Sequence, residues 1–176
     1  MVFRRSALAE RVSFTRLDGR IPLRDLMIHH RFTRREDCPL TGPVPVPTPA
    51  TAPYWEGAQR EELTIQHCLE CTQHYFYPRP FCPNCNSDNV EWTPVSGRGR
   101  LLSYVINYRP TPPFDPATPI VVALVELEEG PHLMSNVVGV EADPEYLELD
   151  QQLEVTFIAR GDMKLPVFTP VQESAR

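Results

Sequence analysis

Four of the chain's five cysteines lie within one short stretch, CLECTQHYFYPRPFCPNCNSD. They form two C-x-x-C pairs, Cys68 with Cys71 and Cys82 with Cys85, and ten residues separate the pairs. A C-x-x-C pair on a tight turn places two sulfurs on one side, and a second such turn held opposite completes the tetrahedral site that Zn²⁺ prefers. Because so short a segment cannot build a hydrophobic core, a metal takes the place of one. The sequence predicts a tetrathiolate zinc ribbon whose closed site is structural.

Alternative uses of these residues remain open at this point. A rubredoxin-type iron centre has similar cysteine spacing, and two disulfides are the expectation for a secreted protein. His67 and His74 flank the first pair and could replace a thiolate, but with four cysteines present we expect both histidines to pack or to lie exposed. The fifth cysteine, Cys38, precedes a proline-rich segment and is predicted to be inert.

The segments before the cysteines are basic and rich in proline. Residues 1–37 hold nine arginines against five acidic residues, and six prolines follow between Pro39 and Pro53. We predict that residues 1–52 form a poorly ordered basic extension and a polyproline-like linker. The extension is interpreted as leader sequence upstream of a start at Met27, as an organelle transit peptide or as a tail that docks on a partner, and the first is favoured.

No run of about 18 apolar residues occurs, so we expect no membrane span and no membrane partner. The N-terminus also lacks a continuous apolar segment of the secretory kind, and we predict a cytoplasmic protein.

The remaining pattern predicts a mainly β fold. Residues 53–66 read as a short helix and a lead-in strand, and residues 67–92 as the rubredoxin-like zinc ribbon. About five segments rich in β-branched and aromatic residues then predict a partly open, five-stranded OB-fold barrel over residues 93–171, with its last strand at an edge and a tail at 172–176. Gly97 and Gly99 predict a bulge or a sharp bend in the first barrel segment.

The order of these motifs resembles a known family. PYWEG, CLEC…CPNC, VSGRGRLLSYVI, PPFDPATP, VALVELEEGPHLMSNVVGV and LPVF follow one another as in the zinc-ribbon plus OB-fold proteins long catalogued as a domain of unknown function. The resemblance covers about Pro53 to Val171. The chain departs from the family at Thr72, where glycine is common, and at LDQQLEV, which lacks a glycine before the last apolar run. Neither departure removes a metal ligand.

The resemblance implies an accessory subunit. Members of the family accompany thiolase-superfamily and other acyl-CoA enzymes that condense, transfer acyl groups or cleave aldols, and the catalytic residues belong to the partner. The ribbon docks on the partner or bridges subunits, and the barrel holds acyl-CoA or its pantetheine arm. By analogy with members from actinobacteria, the pathway is steroid side-chain degradation.

A ligand groove in the barrel is predicted from particular side chains. Phe114, in a loop stiffened by five prolines, can cover an acyl or pantetheine chain with little loss of entropy on binding. Arg98, Arg100 and Arg109 can form a small basic spot for the phosphates of CoA or of an oligonucleotide, although ordinary surface charge is the favoured interpretation. The other predicted groove residues are Tyr104, Asn136 and Phe168.

Catalysis by the chain alone is not expected, because no metalloprotease, nucleophile-elbow or phosphate-loop motif occurs. The second functional hypothesis is a nucleic-acid-binding module, since zinc ribbons and OB folds both occur in such proteins. Residues 38–176 carry a net charge of about −10, and this charge repels a phosphate backbone.

Overall fold

The computed structural model describes residues 42–171. The predictions for the basic extension, including those for Met27 and Cys38, and for the tail at 172–176 lie outside the described residues. The described residues contain one α-helix, eight strands and a 3₁₀ turn in the following order: α1 (Ala52–Gln59), β1 (Thr64–Cys68), β2 (His74–Tyr75), β3 (Val90–Pro94), β4 (Arg98–Asn107), β5 (Ile120–Leu127), β6 (His132–Val137), the 3₁₀ turn (Pro144–Tyr146), β7 (Gln152–Arg160) and β8 (Met163–Pro170).

The helix α1 starts where the sequence predicts it, because Pro53 in its first turn has the backbone angle that a helix start needs. Its buried face is small, with Gly57 and Ala58 packed against the chain that leads to β1. A side chain at Gly57 would press on the hydroxyl of Thr64. Helix and lead-in strand therefore pack closely.

The ribbon is built on a three-stranded antiparallel sheet in the order β2-β1-β3. The central strand β1 pairs with β3 over its whole length, from Thr64 opposite Pro94 to Cys68 opposite Val90. The predicted boundary between the lead-in strand and the ribbon, at 66/67, falls inside β1. The predicted boundary between the ribbon and the barrel, at 92/93, falls inside β3. The β-type pattern that starts at residue 90 in the sequence forms two strands, β3 and β4, and these belong to different sheets.

The second sheet is a closed barrel in the order β4-β5-β6-β8-β7, and β7 pairs back with β4. The predictions of a partly open barrel and of a last strand at an edge are wrong. The strand β8 pairs antiparallel with β7 and runs parallel to β6, where Val137 lies opposite Phe168 and the N–H of Val138 donates to the carbonyl of Phe168 at 2.8 Å. Closure satisfies the backbone groups that an edge would expose.

The structure has both a bend at Gly97, whose left-handed backbone (φ 70°) lies between β3 and β4, and a bulge in β4 that is not at a glycine. The register between β4 and β5 shifts between Leu101 and Ser103. Gly99 instead lies in a regular pair with Leu127 on one side and Leu153 on the other, and a Cβ there would clash with the backbone carbonyl of Glu126. Gly99 is therefore needed for the close approach of two strands and not for a bulge.

One hydrophobic core joins the ribbon sheet to the barrel. Leu63 and Ile65, which lead into and form β1, are in the same buried cluster as the inward residues of the barrel strands. A separate small cluster lies under the cysteines and contains Cys68, Tyr75 and Cys82. Within residues 42–171, no helix is long and apolar enough to cross a membrane.

Candidate metal centre

The two C-x-x-C turns have the same backbone geometry. In the first, the N–H of Thr72 donates to the carbonyl of Cys68 at 2.9 Å, and in the second the N–H of Asn86 donates to the carbonyl of Cys82 at 2.9 Å. Thr72 and Asn86 both have left-handed backbone, with φ of 58° and 61°. This shared turn directs both sulfurs of each pair to one side.

The four sulfur atoms come together as the spacing predicts. They lie within 4.8 Å of one another, with 3.6 Å between Cys68 and Cys85 and 3.5 Å between Cys71 and Cys82. A tetrahedron with Zn–S bonds of about 2.3 Å has edges of about 3.8 Å, so the arrangement fits a zinc ion. A disulfide needs a sulfur–sulfur distance of about 2.05 Å, which neither pair has. Zinc bound here links the two turns and has no open position for a substrate.

Hydrogen bonds favour the thiolate at Cys71, where Asn84 and the backbone of Gln73 lower the pKa to about 6. At Cys85 a backbone hydrogen bond acts in the same direction, but desolvation and the neighbouring sulfurs raise the pKa to about 12, so a bound cation is needed before all four sulfurs ionise. The N–H of Asn84 also donates to the sulfur of Cys82 at 3.4 Å. Deprotonated sulfur is the form that binds metal, so these donors prepare the site for zinc.

Two residues that the sequence analysis did not single out support the hairpin between the pairs. Tyr75 is buried against Cys68 and Cys82, and its hydroxyl donates to the carbonyl of Arg79 at 3.3 Å. Gln66, buried on β1, accepts the N–H of Arg79 through Oε1 at 2.6 Å. In the sequence these two residues are marked only by their types, an aromatic residue and an amide in a polar segment. Both types are too common to indicate a supporting role.

His67 and His74 lie opposite each other on β1 and β2, with their rings stacked 4.5 Å apart. Nδ1 of His67 lies 3.4 Å from a carboxylate oxygen of Glu91. The group that converges on a metal position among residues 42–171 is the four cysteines.

The predicted groove residues lie on different sides of the barrel wall. Tyr104 packs inward against the core, and Phe168 is 0% exposed within it. Asn136 faces outward on β6 and donates from Nδ2 to the carbonyl of Val121 at 3.0 Å. Phe114 is half-buried in the loop between β4 and β5, next to Gly42. The structure does not bring these four side chains together.

Two arginines of the predicted basic spot form ion pairs within the chain. Arg98 pairs with Glu128 at 3.1 Å, and Arg100 pairs with both Glu126 and Asp150. A shallow depression of about 320 Å³ beside Arg100 is lined by both of the partner glutamates. The guanidinium groups of Arg98 and Arg100 are therefore already paired with carboxylates of the same chain.

Two family models match the chain. The model described as ChsH2, rubredoxin-like zinc ribbon domain, matches residues 55–91, and that described as ChsH2, C-terminal OB-fold domain, matches residues 92–157. A DUF35 domain-containing scaffold protein of Methanothermobacter thermautotrophicus is 39% identical over 100 residues, which are 56% of this chain and 74% of that protein. This chain belongs to the DUF35 family. Its four cysteines form the zinc site of the family's ribbon.

Longer proteins also contain the same unit. A probable enoyl-CoA hydratase alpha subunit of Thermomonospora curvata is 35% identical over 66% of this DUF35 chain, but the match spans only 36% of that subunit. The chain thus spans about a third of the length of this relative. A 3-oxo-4,17-pregnadiene-20-carboxyl-CoA hydratase alpha subunit of Mycobacterium tuberculosis is similar in the same way, at 32% identity over 68% of the chain and 37% of the subunit.

Solved structures share the fold. A chain of an Ltp2–ChsH2(DUF35) aldolase is 33% identical, with a TM-score of 0.64, and the match covers 72% of this chain and 98% of that one. A DUF35 protein from Sulfolobus solfataricus has the same fold at 15% identity and a TM-score of 0.52, over 70% and 86% of the two chains.

Proposed function

We propose that this DUF35 chain is a non-catalytic accessory subunit that docks on a thiolase-like enzyme and helps it to bind acyl-CoA. One observation carries the proposal. The chain is 33% identical to a chain of an Ltp2–ChsH2(DUF35) aldolase, and the match covers 98% of that chain. A closed zinc site that holds a hairpin and a barrel that shares one core with the ribbon sheet also suit a rigid scaffold.

We further propose that the acyl-CoA is a steroid side-chain intermediate and that the complex acts in the cytoplasm. The relative from Mycobacterium tuberculosis supports the substrate class, because it is named as a hydratase subunit for a pregnadiene carboxyl-CoA. The chain matches 37% of that subunit's length.

The nucleic-acid hypothesis receives no support from the described residues. Residues 42–171 hold seven basic and seventeen acidic side chains, a net charge of −10. Arg98 and Arg100, two of the three arginines of the predicted spot, are paired with carboxylates. Such a surface repels a polyanion at physiological salt.

Co-expression tests the accessory role. The tagged chain is produced together with each thiolase-superfamily protein of the same genome, one at a time, and the purified pairs are analysed by light scattering. We expect one protein to form a complex of fixed stoichiometry. Cys82→Ser should lose the zinc, whereas Cys38→Ser, the matched control, should retain it. Absence of a complex with every such protein contradicts the proposal.

The acyl-CoA role rests on Phe114 and is tested on the purified complex. If the ring covers the acyl chain, Phe114→Ala weakens binding of octanoyl-CoA several-fold and leaves binding of free CoA unchanged, because CoA has no acyl chain to cover. Calorimetric titration with both ligands measures the difference. Equal loss for the two ligands, or no loss for either, removes Phe114 from the proposed site.

A further inference from the structure

The outer face of three barrel strands carries a block of apolar side chains. The register places Val105 on β4 opposite Val122 on β5, and Leu124 on β5 opposite Met134 on β6. Residues directly opposite in a sheet lie about 5 Å apart at Cβ, and every second residue along a strand shares a face. These four residues, which we call the outer block, therefore form one contiguous patch.

The outer block faces away from the core. Val121, Ala123 and Val125 alternate with the block residues along β5 and are buried inside the barrel. Val105 is 64% exposed and Met134 is 59% exposed, and the two β5 residues between them are half-buried. An apolar patch that runs across three strands of a small domain is typical of an interaction surface.

The charge distribution indicates what kind of surface covers the block. Segments 102–107, 120–125 and 133–137, which hold the block and its neighbours, contain no charged residue. The described residues as a whole carry a net charge of −10. Association of two copies through this face would bring two strongly acidic bodies together, whereas a basic partner would be attracted by the same field.

We infer that the outer block is the surface on which the thiolase-like partner docks, through a partner face that is apolar at its centre and basic at its rim. This inference rests on the proposed function and adds the surface and the chemistry of its occupant. Burial of the block supplies the central apolar contact. The acidic body steers the basic partner, so the association rate should fall as salt is raised.

Charge substitutions in the outer block test the inference, with the partner identified by co-expression as the probe. The double variant Val105→Glu/Met134→Glu places two carboxylates in the block at exposed positions. We expect its Kd for the partner to rise at least tenfold. The matched control is Leu149→Glu, which alters an apolar residue 61% exposed in the loop before β7 and should change the Kd less than twofold. Zinc content and the thermal midpoint of each variant verify that the fold is intact.

A third variant separates the barrel from the ribbon as the docking surface. Tyr77→Glu/Phe81→Glu alters two exposed aromatic residues of the ribbon, 56% and 51% exposed. Retention of wild-type affinity by the block variant overturns the inference, and loss of affinity only in the ribbon variant assigns docking to the ribbon. A homodimer that the block substitutions dissociate overturns the choice of occupant. If the wild-type chain binds no thiolase-like protein, the proposed function fails as well, so the two failures are distinguishable.

Should the block variant lose stability, Val105→Thr/Met134→Gln replaces it, because these side chains are polar, uncharged and compatible with strands. We expect at least a threefold rise in Kd for this variant. Wild-type affinity in it contradicts the inference.

Discussion

At the scale of single residues, the two cysteine turns show how a strained residue can be accommodated at a cost in stability. Thr72 and Asn86 occupy equivalent left-handed positions. Asparagine enters this region readily, but a β-branched residue is strained there. The hydroxyl of Thr72 donates to the carbonyl of Cys71 at 2.8 Å, which offsets part of the cost. A glycine at this position would remove the strain.

Replacement of Thr72 by glycine should therefore stabilise the protein. Removing left-handed strain gains about 1–2 kcal/mol, and the entropy of glycine in the unfolded chain costs about 0.5–1 kcal/mol. We expect a net gain of about 0.5–1 kcal/mol in urea unfolding of the zinc-bound protein. The control is Thr93→Gly on β3, where the backbone is regular strand and glycine should destabilise. Equal destabilisation by both substitutions would show that Thr72 is not strained.

The ion pairs of the barrel predict a dependence of stability on pH. Arg100, through a hydrogen bond and its charge, lowers the pKa of Glu126 from its ordinary value. A carboxylate whose pKa is lower in the folded state contributes stability above its unfolded pKa of about 4.3, and this contribution is lost as the pH falls through the folded pKa.

Glu126→Gln should therefore lower the thermal midpoint at pH 7 and should have little effect at a pH below the folded pKa of Glu126. Glu148→Gln makes the same charge change at an exposed residue outside these ion pairs and corrects for the overall negative charge. The difference between the two variants should also shrink in high salt, because the pair is exposed. A difference that does not change between pH 7 and acid pH would exclude the ion pair as its cause.

At the scale of elements, periodicity predicted most of the strands but not their closure. The alternation of Leu153, Val155 and Phe157 is typical of a half-buried strand and coincides with β7, and the apolar run from Ile120 coincides with β5, because local sequence decides which residues can face a core. The pairing of β8 with β6 joins residues 137 and 168, and no local pattern encodes so distant a contact. In β8 itself Pro166, Val167 and Phe168 are buried in succession, so alternation does not distinguish its inner and outer faces.

This difference explains why the predicted groove residues lie on different sides of the barrel wall. The sequence identified aromatic and polar residues on strands, but an inward Phe168 and an outward Asn136 are distinguished only by the closed barrel. The cysteines were predicted correctly because their geometry is set by two local turns and one metal. The outer block could not be predicted from the sequence, because its residues become neighbours only through the register of three strands.

The position of Phe168 predicts a structural effect of its replacement. Phe168→Ala removes a fully buried ring next to the strand pair that closes the barrel and should lower the free energy of unfolding by about 3–5 kcal/mol. Met134→Ala, on the exposed face of the neighbouring strand β6, should change it by less than about 0.5 kcal/mol. Urea denaturation followed by tryptophan fluorescence measures both. A small loss for Phe168→Ala, comparable to that for Met134→Ala, would show that the ring does not support the closed barrel.

At the scale of the whole molecule, two kinds of stabilisation act on adjoining regions. Leu63 and Ile65 anchor the ribbon sheet in the barrel core, and this contact does not need the metal. In addition to zinc, the cysteine turns beyond β1 have a small buried cluster around Tyr75 and a few hydrogen bonds of the hairpin. Loss of zinc should thus unfold the turns and leave the anchored strands in place.

Hydrogen exchange with and without zinc tests this division. After removal of zinc by a chelator under reducing conditions, the N–H groups of Thr72 and Asn86 should exchange quickly, because the turns that protect them are no longer held together. Amides of β5 should stay protected, since they pair with β4 and β6 in the closed barrel. Restored protection of the turns on addition of zinc is the control for reversible loss. Global loss of protection would show instead that the barrel depends on the metal, and the ribbon and barrel would then unfold as one cooperative unit.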